Sequence, residues 1–280
     1  MGAQRIRVGL STASVYPQNT EAAFRYAAEL GYDGIELMVW AESVSQDVDA
    51  VAALSREYSM PVQAIHAPCL LISQRVWGSD PVAKLARSVE AAEKLDAATV
   101  VVHPPFRWQR KYSDGFADQV AELEANSHVV VAVENMFPMR ADRFFGRKEK
   151  SAQRLERRGG PGAALSAFSP SYDPTDVGHD HYTLDLSHTA TAGSDALEML
   201  DRMGEGIAHL HLADGRGASV DEHLIPGHGS QPCVEVCTEL VRRGFEGQAV
   251  IEINTQNART VPERSSMLGQ ALQFSRAHLS

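Results

Sequence analysis

Short runs rich in Val, Ile and Leu alternate along this chain with segments whose apolar residues recur at helical spacing. The runs at Ile6–Thr12, Gly34–Trp40, Val62–Ala67, Ala98–Pro104, Val129–Phe137, Tyr182–Thr189, Ile207–Ala213 and Gln248–Asn254 predict strands. Their nearly continuous apolar character suits strands buried on both faces. Between them, helices are predicted at Asn19–Leu30, Asp47–Tyr58, Asp80–Leu95, Asp114–Asn126, Ser194–Met203, Gln231–Arg243 and Val261–His278. Thr20 with Glu21, Ser79-Asp80-Pro81 and Ser194-Asp195 supply acceptors or a proline at helix starts. Gly31 and Gly244 sit where a helix end needs a left-handed residue.

Strict alternation of strand and helix implies parallel pairing through right-handed crossovers. Eight strands favour a closed (β/α)8 TIM barrel, an α/β fold, over an open doubly wound sheet. A single domain over 1–280 follows, since such barrels fold as one unit of about 250 residues. No Gly-x-Gly-x-x-Gly or Walker motif follows the first strand, which weakens a nucleotide-binding reading. One segment breaks the rhythm. Met139 to Asp180, after the fifth strand, is a long insertion of lid-like length. It opens with a basic stretch through Arg140, Arg143, Arg147, Lys148, Lys150, Arg154, Arg157 and Arg158, then becomes Gly-, Pro- and Ser-rich. The fifth barrel helix is expected within Arg147–Arg158. The basic residues form either a solvated helix face or a lid offering guanidinium groups to an anionic substrate.

The formal net charge of −10 counts mildly against a protein that coats nucleic acid. No apolar run approaches the roughly 20 residues of a membrane span, and Met1 to Leu10 lacks the apolar stretch of a signal peptide. A cytoplasmic protein without a membrane partner is expected, with room for a homo-oligomer. Cys69, Cys233 and Cys237 fit no disulfide framework. Nothing resembles a Gly-x-Ser-x-Gly nucleophile elbow.

The informative chemistry lies at strand ends. His66, His103, Glu134, Asp185, His211 and Glu252 each stand near the C-terminal end of a different predicted strand, the end where such barrels carry their sites. Carboxylates that close apolar strands, such as Glu134 after Val129-Val130-Val131-Ala132-Val133, need cations or dense hydrogen bonding. His188 follows Asp185 by three residues. Asp221 and His223 lie two apart on the loop after the seventh strand, where an extended backbone would send both side chains the same way. These residue types suit a divalent ion. His209 and His211 alternate on one strand, so the deeper His209 is read as structural. Glu36 is read as either a substrate contact or a structural hydrogen-bond partner. His128, His179, His181 and His278 are read as surface residues.

The chain resembles the xylose isomerase-like TIM-barrel superfamily, from about Val8 to Phe274. The resemblance rests on Gly31-Tyr32-Asp33-Gly34-Ile35-Glu36-Leu37, His66-Ala67-Pro68, Val102-His103-Pro104, Glu134-Asn135, Asp185-Leu186-Ser187-His188, His211-Leu212-Ala213-Asp214, Asp221-Glu222-His223-Leu224-Ile225-Pro226-Gly227-His228-Gly229 and Val250-Ile251-Glu252. For the sugar isomerase and epimerase branch it implies one divalent ion (Zn, Mn, Mg or Co) on Glu134, Asp185, His211 and Glu252. Glu134 and Glu252 would move protons on a small carbohydrate substrate, with His188 and Arg216 contacting it; Glu36 and His228 are further candidate contacts read from their own positions. For the endonuclease IV branch it implies up to three zinc ions and abasic DNA as substrate. His66, His103 and Glu134 would hold one zinc, the four shared residues a second, and His188, Asp221 and His223 a third. An inosose dehydratase-like lyase or a non-catalytic metal-binding barrel is a further alternative. Two departures stand out: Cys69 occupies the place of an aromatic residue in the endonuclease branch, and Gly227-His228-Gly229 replaces the usual Gly-Glu-Gly. The favoured expectation is a metal-dependent isomerase or epimerase.

Overall fold

A computed structural model describes residues 5–69, 73–140, 164–218 and 220–280. Eight parallel strands close a barrel in chain order: β1 Arg7–Ser11, β2 Gly34–Met38, β3 Val62–His66, β4 Thr99–Val102, β5 Val130–Glu134, β6 Tyr182–Asp185, β7 Ile207–Leu212 and β8 Gln248–Ile251. β8 pairs with β1 from Arg7↔Gln248 to Leu10↔Ile251, which closes the ring. The expected (β/α)8 architecture is the observed one.

Helices α1 Thr20–Leu30, α2 Ser43–Gln46, α3 Val48–Glu57, α4 Pro81–Leu95, α5 Arg110–Ala125, α6 Leu186–Ala192, α7 Ala196–Met203, α8 Cys233–Arg242 and α9 Val261–His278 lie among the described residues. Their starts follow the sequence signals. Asn19, Asp47, Asp80 and Asp195 each accept hydrogen bonds from amides of the first turn. Gly31, at φ 83°, ends α1 in the left-handed conformation. α5 begins four residues earlier than expected, at Arg110, since Asp114 is not its cap. The expected helix within Arg147–Arg158 and the arginine lid lie outside the described residues. Of that insertion, a two-residue antiparallel pair, Met139–Arg140 with Ala164–Leu165, and the run to β6 are described. That run packs on the loop after β4: Phe106 bridges to Phe168, and Phe106, Met136 and Phe168 form a small separate core.

The main core lies between the strands and the helices. Leu184, Leu210, Leu212 and Ile251 are wholly buried there, each worth roughly 1.5–3 kcal/mol of apolar burial. The other strand faces fill the barrel interior, and toward the C-terminal end that filling is polar. Glu36, Glu134, Asp185, His209 and His211 have no exposed surface. Among the described residues no helix is long and apolar enough to cross a membrane.

Candidate metal centre

Every one of the strand-end residues enters one contiguous network at the C-terminal face. Its hub is His211, whose Nδ1 lies 2.9 Å from Glu134 Oε1, 3.1 Å from Glu252 Oε2 and 3.5 Å from Asp185 Oδ2. These four side chains each present a ligand atom within 4.8 Å of the others. Glu134 Oε2 then reaches His103 Nε2 at 2.9 Å and His66 Nε2 at 3.4 Å. On the other flank, Asp221 Oδ2 reaches His223 Nε2 at 2.7 Å and His188 Nε2 at 3.2 Å. Asp185, His188 and His223 also gather ligand atoms within 4.8 Å.

The local backbone explains these placements. β6 stops at Asp185, shorter than the expected strand to Thr189, because Asp185 caps α6 by accepting from the His188 amide at 2.7 Å. His188 therefore stands on the first turn of a helix, and its three-residue spacing returns it to the Asp185 side. Asn135 holds β5 to β6 where their pairing is brief. Its amide exchanges two hydrogen bonds with the Asp185 backbone, at 2.7 and 3.0 Å. The segment of Asp221 and His223 is not extended as expected, since His223 has φ 45°. Ser187 instead draws the two together: its hydroxyl donates to Asp221 Oδ1 at 2.5 Å and accepts from the His223 amide at 2.9 Å. A non-glycine residue at positive φ costs about 1–3 kcal/mol and persists where the surroundings impose it.

Four histidines have one ring nitrogen fixed from behind. His188 Nδ1 meets the Asn135 carbonyl at 2.8 Å, His223 Nδ1 the Glu252 carbonyl at 2.7 Å and His66 Nδ1 the Ala67 carbonyl at 3.2 Å. His211 Nε2 meets Glu36 Oε2 at 3.0 Å. Each arrangement sets which nitrogen turns to the centre, as outer partners do for metal-ligating histidines. Glu36 lies on β2 and meets His209 and His211 of β7 across the barrel interior, with His209 Nε2 at 2.8 Å. Of the two roles expected for Glu36, its burial beneath His211 and its bond to that ring fit the structural hydrogen-bond partner. His209 has the structural place expected of it. Arg216 and His228 stay outside the network, exposed on the loop after β7, where the guanidinium donates to the His228 carbonyl at 3.2 Å. His181, read as a surface residue, is half-buried and paired with Glu124 at 2.6 Å.

The electrostatics are those of a site built around positive charge. Burial alone would raise Glu134, but His211, His103 and His188 hold its carboxyl well below the ordinary range. Asp221 is likewise held down, against burial, by His223 and His188. Glu252 goes the other way, because its burial outweighs its histidine neighbours. Burial would depress the histidines, yet the carboxylates push His188 up to about 10 and His211 and His223 well above the usual value. His209 is depressed, by burial first. Asp185 Oδ2 is buried with no hydrogen-bond partner, and so is His103 Nδ1. Such orphaned donor atoms among buried carboxylates and imidazoles fit a divalent cation.

Three participants went unnoticed in the sequence. Ser187 and Asn135 were visible only as parts of motifs. Cys69, noted in the sequence only as a departure from the endonuclease branch, offers Sγ within 4.8 Å of His66 and His103 ligand atoms. Its spacing of three from His66 was the available signal.

A family model described as a xylose isomerase-like TIM barrel matches residues 24–160 and 177–278. A Mycobacterium tuberculosis protein is 66% identical over 274 residues, covering 98% of both chains. Fructoselysine 3-epimerase of Shigella flexneri is 22% identical over 273 residues, 89% of this chain and 91% of that protein. Among solved structures, D-psicose 3-epimerase from Clostridium cellulolyticum superposes with TM-score 0.64 at 15% identity, covering 98% of this chain and 100% of the other. Endonuclease IV from Thermus thermophilus superposes with TM-score 0.54 at 21% identity, covering 98% of each.

Proposed function

The chain belongs to the xylose isomerase-like TIM-barrel family, and on that premise we propose that it is a divalent-metal-dependent epimerase or isomerase of a sugar, sugar phosphate or polyol. The observation that carries the proposal is the convergence of two buried glutamates, Glu134 and Glu252, on His211 Nδ1 at 2.9 and 3.1 Å. Glu134, Asp185, His211 and Glu252 would hold the ion; three carboxylates and one imidazole suit Mn, Mg, Co or Zn. When bound, the ion supplies Lewis-acid polarisation of a substrate carbonyl or hydroxyl.

The chain's own residues supply the rest. One of the two glutamates takes the proton from the carbon beside the carbonyl, and the other returns a proton to the opposite face, inverting that centre. Proton return to the neighbouring position would give isomerisation instead. A cavity of about 450 Å³ adjoins Glu252 and His223 and is walled by Tyr16 and Trp40, a size in the range of small-molecule sites. The two rings meet edge to face at 5.2 Å and offer an apolar wall to a sugar ring. His188 would contact substrate oxygens, with Arg216 and His228 reaching them from the loop after β7. The likeness to fructoselysine 3-epimerase and D-psicose 3-epimerase supports the same class.

A second reading has its own observation. His66, His103, His188, Asp221 and His223 extend the cluster on both sides, as a zinc phosphodiesterase acting on abasic DNA would require. Incubation of the zinc-loaded chain with a duplex carrying one abasic site separates the two. Epimerisation of a ketose without strand cleavage is the expected result. Strand cleavage without any sugar conversion would overturn the epimerase reading.

A further inference from the structure

On the β3 and β4 side of the centre, one ligand atom each from His66, Cys69 and His103 lies within 4.8 Å of the others. The framework fixes this juxtaposition. His66 ends β3, Cys69 follows on the same loop, His103 follows β4, and β3 and β4 are paired from Ala64↔Thr99 to His66↔Val101. The two imidazoles meet edge to face with centroids 5.0 Å apart. Cys69 Sγ lies 3.1 Å from the Ala67 carbonyl, the same oxygen that fixes His66 Nδ1. The His103 amide donates to the sulfur at 3.5 Å. His103 Nδ1 is buried and has no hydrogen-bond partner, and the residue is 5% exposed.

The donor chemistry differs from that of the neighbouring cluster. Glu134, Asp185, His211 and Glu252 offer mainly hard oxygens. His66, Cys69 and His103 offer two imidazoles and a sulfur, a set that favours zinc over magnesium or manganese. Three protein donors also leave a position open, the arrangement of a reactive zinc site. Glu134 Oε2, 2.9 Å from His103 Nε2 and 3.4 Å from His66 Nε2, stands on the boundary of the two sets.

We propose that Cys69 is a metal ligand, forming with His66 and His103 a thiolate-containing zinc site beside the oxygen-rich one. Binding exchanges the S–H bond for a sulfur–metal bond and releases the proton to solvent. The two sites then differ in the ions they keep: zinc is retained on the thiolate side while the oxygen-rich side takes harder divalent ions. The assignment goes beyond the epimerase reading and does not depend on it, since sugar conversion and thiolate ligation are read by separate measurements.

The test uses the full chain, stripped with a chelator and titrated with Co(II), with bound cobalt counted by elemental analysis. A near-ultraviolet thiolate-to-cobalt charge-transfer band is expected for the unmodified protein. Cys69→Ser should lose the band and one equivalent of cobalt. His211→Ala, which damages the oxygen-rich site, should keep the band. A measurement on the unmodified chain covers any folding defect of the variant: iodoacetamide should alkylate Cys69 in the stripped protein and fail to do so after zinc loading, as located by peptide mass spectrometry. Absence of the band at cobalt saturation, its survival in Cys69→Ser, or equal alkylation with and without zinc would each overturn the proposal.

Discussion

Glu36 Oε2 lies 3.0 Å from Nε2 of His211, and neither residue exposes any surface to solvent. The contact spans the barrel interior from β2 to β7 and leaves His211 Nδ1 as the nitrogen facing Glu134, Asp185 and Glu252. Partners of this kind orient a ligating ring and raise its basicity, and their loss typically lowers metal affinity about 10–100-fold. Glu36→Gln keeps the volume and removes the charge. Competition against a chromophoric chelator is expected to show a weakening in that range at the oxygen-rich site. Unchanged affinity would show that Glu36 does not act through His211.

Metal uptake should be strongly pH-dependent. In the metal-free chain His188 is pushed up to about 10 and His211 and His223 well above the ordinary value, so they carry protons at neutral pH. Of these, His211 is the proposed ligand, so an incoming ion must displace its proton, and the ion's charge disfavours protons on His188 and His223 beside it. Affinity should therefore rise with pH above about 6.5, the ordinary histidine value, through the folded-state value of His188. Calorimetry in buffers of different ionisation enthalpy would report the protons released. For the metal-free chain the stability trend is opposite. Raised histidines favour the folded state most fully below their unfolded value of about 6.5, and that contribution fades as pH climbs through their folded values. Lowered Glu134 and Asp221 contribute above their unfolded values of about 4 and lose that contribution as pH falls. Denaturant midpoints of the stripped protein should fall from pH 6.5 toward 9, whereas the loaded protein should not show that fall.

Asp214 organises the loop that carries Asp221 and His223. Its carboxylate accepts from the amides of Gly215 and Gln231 at 2.8 and 3.0 Å, and from those of Gly227 and Gly229 at 2.9 and 2.8 Å. A Cβ at Gly229 would run into that carboxylate, which gives a reason for glycine there. Asp214→Asn turns an N–H group toward donors and should cost about 1–3 kcal/mol. Urea denaturation measures that cost. Gly229→Ala should disturb the same loop and lower the denaturation midpoint likewise.

The barrel was legible because two periodicities, apolar strand and amphipathic helix, repeat in register with capping residues such as Asp47, Asp80 and Asp195. The strand-end cluster was legible for the same reason: parallel strands bring their C-terminal ends to one face, so distant residues such as His66 and Glu252 had to converge. What stayed hidden depends on contacts across the barrel or on local turns. Nothing in Gly34-Ile35-Glu36-Leu37 says that Glu36 reaches His209 and His211 on the far wall. The turn that makes Asp185 a helix cap, and places His188 on a helix, competes with an apolar pattern that continues as a strand through Leu186. The approach of Cys69 to His103 depends on where the loop after β3 lies against the end of β4, which no local pattern around Cys69 encodes.

In the proposed reaction Glu134 and Glu252 move a proton at a sugar carbon. Its most direct measurement is deuterium incorporation when the metal-loaded chain is held in deuterated water with D-tagatose or D-psicose, as plain sugars and as phosphates, followed by mass spectrometry and NMR. Deuterium is expected at a single carbon beside the carbonyl, with the epimer appearing, and turnover should be lost in both Glu134→Gln and Glu252→Gln. Turnover with exchange that survives either substitution would contradict it.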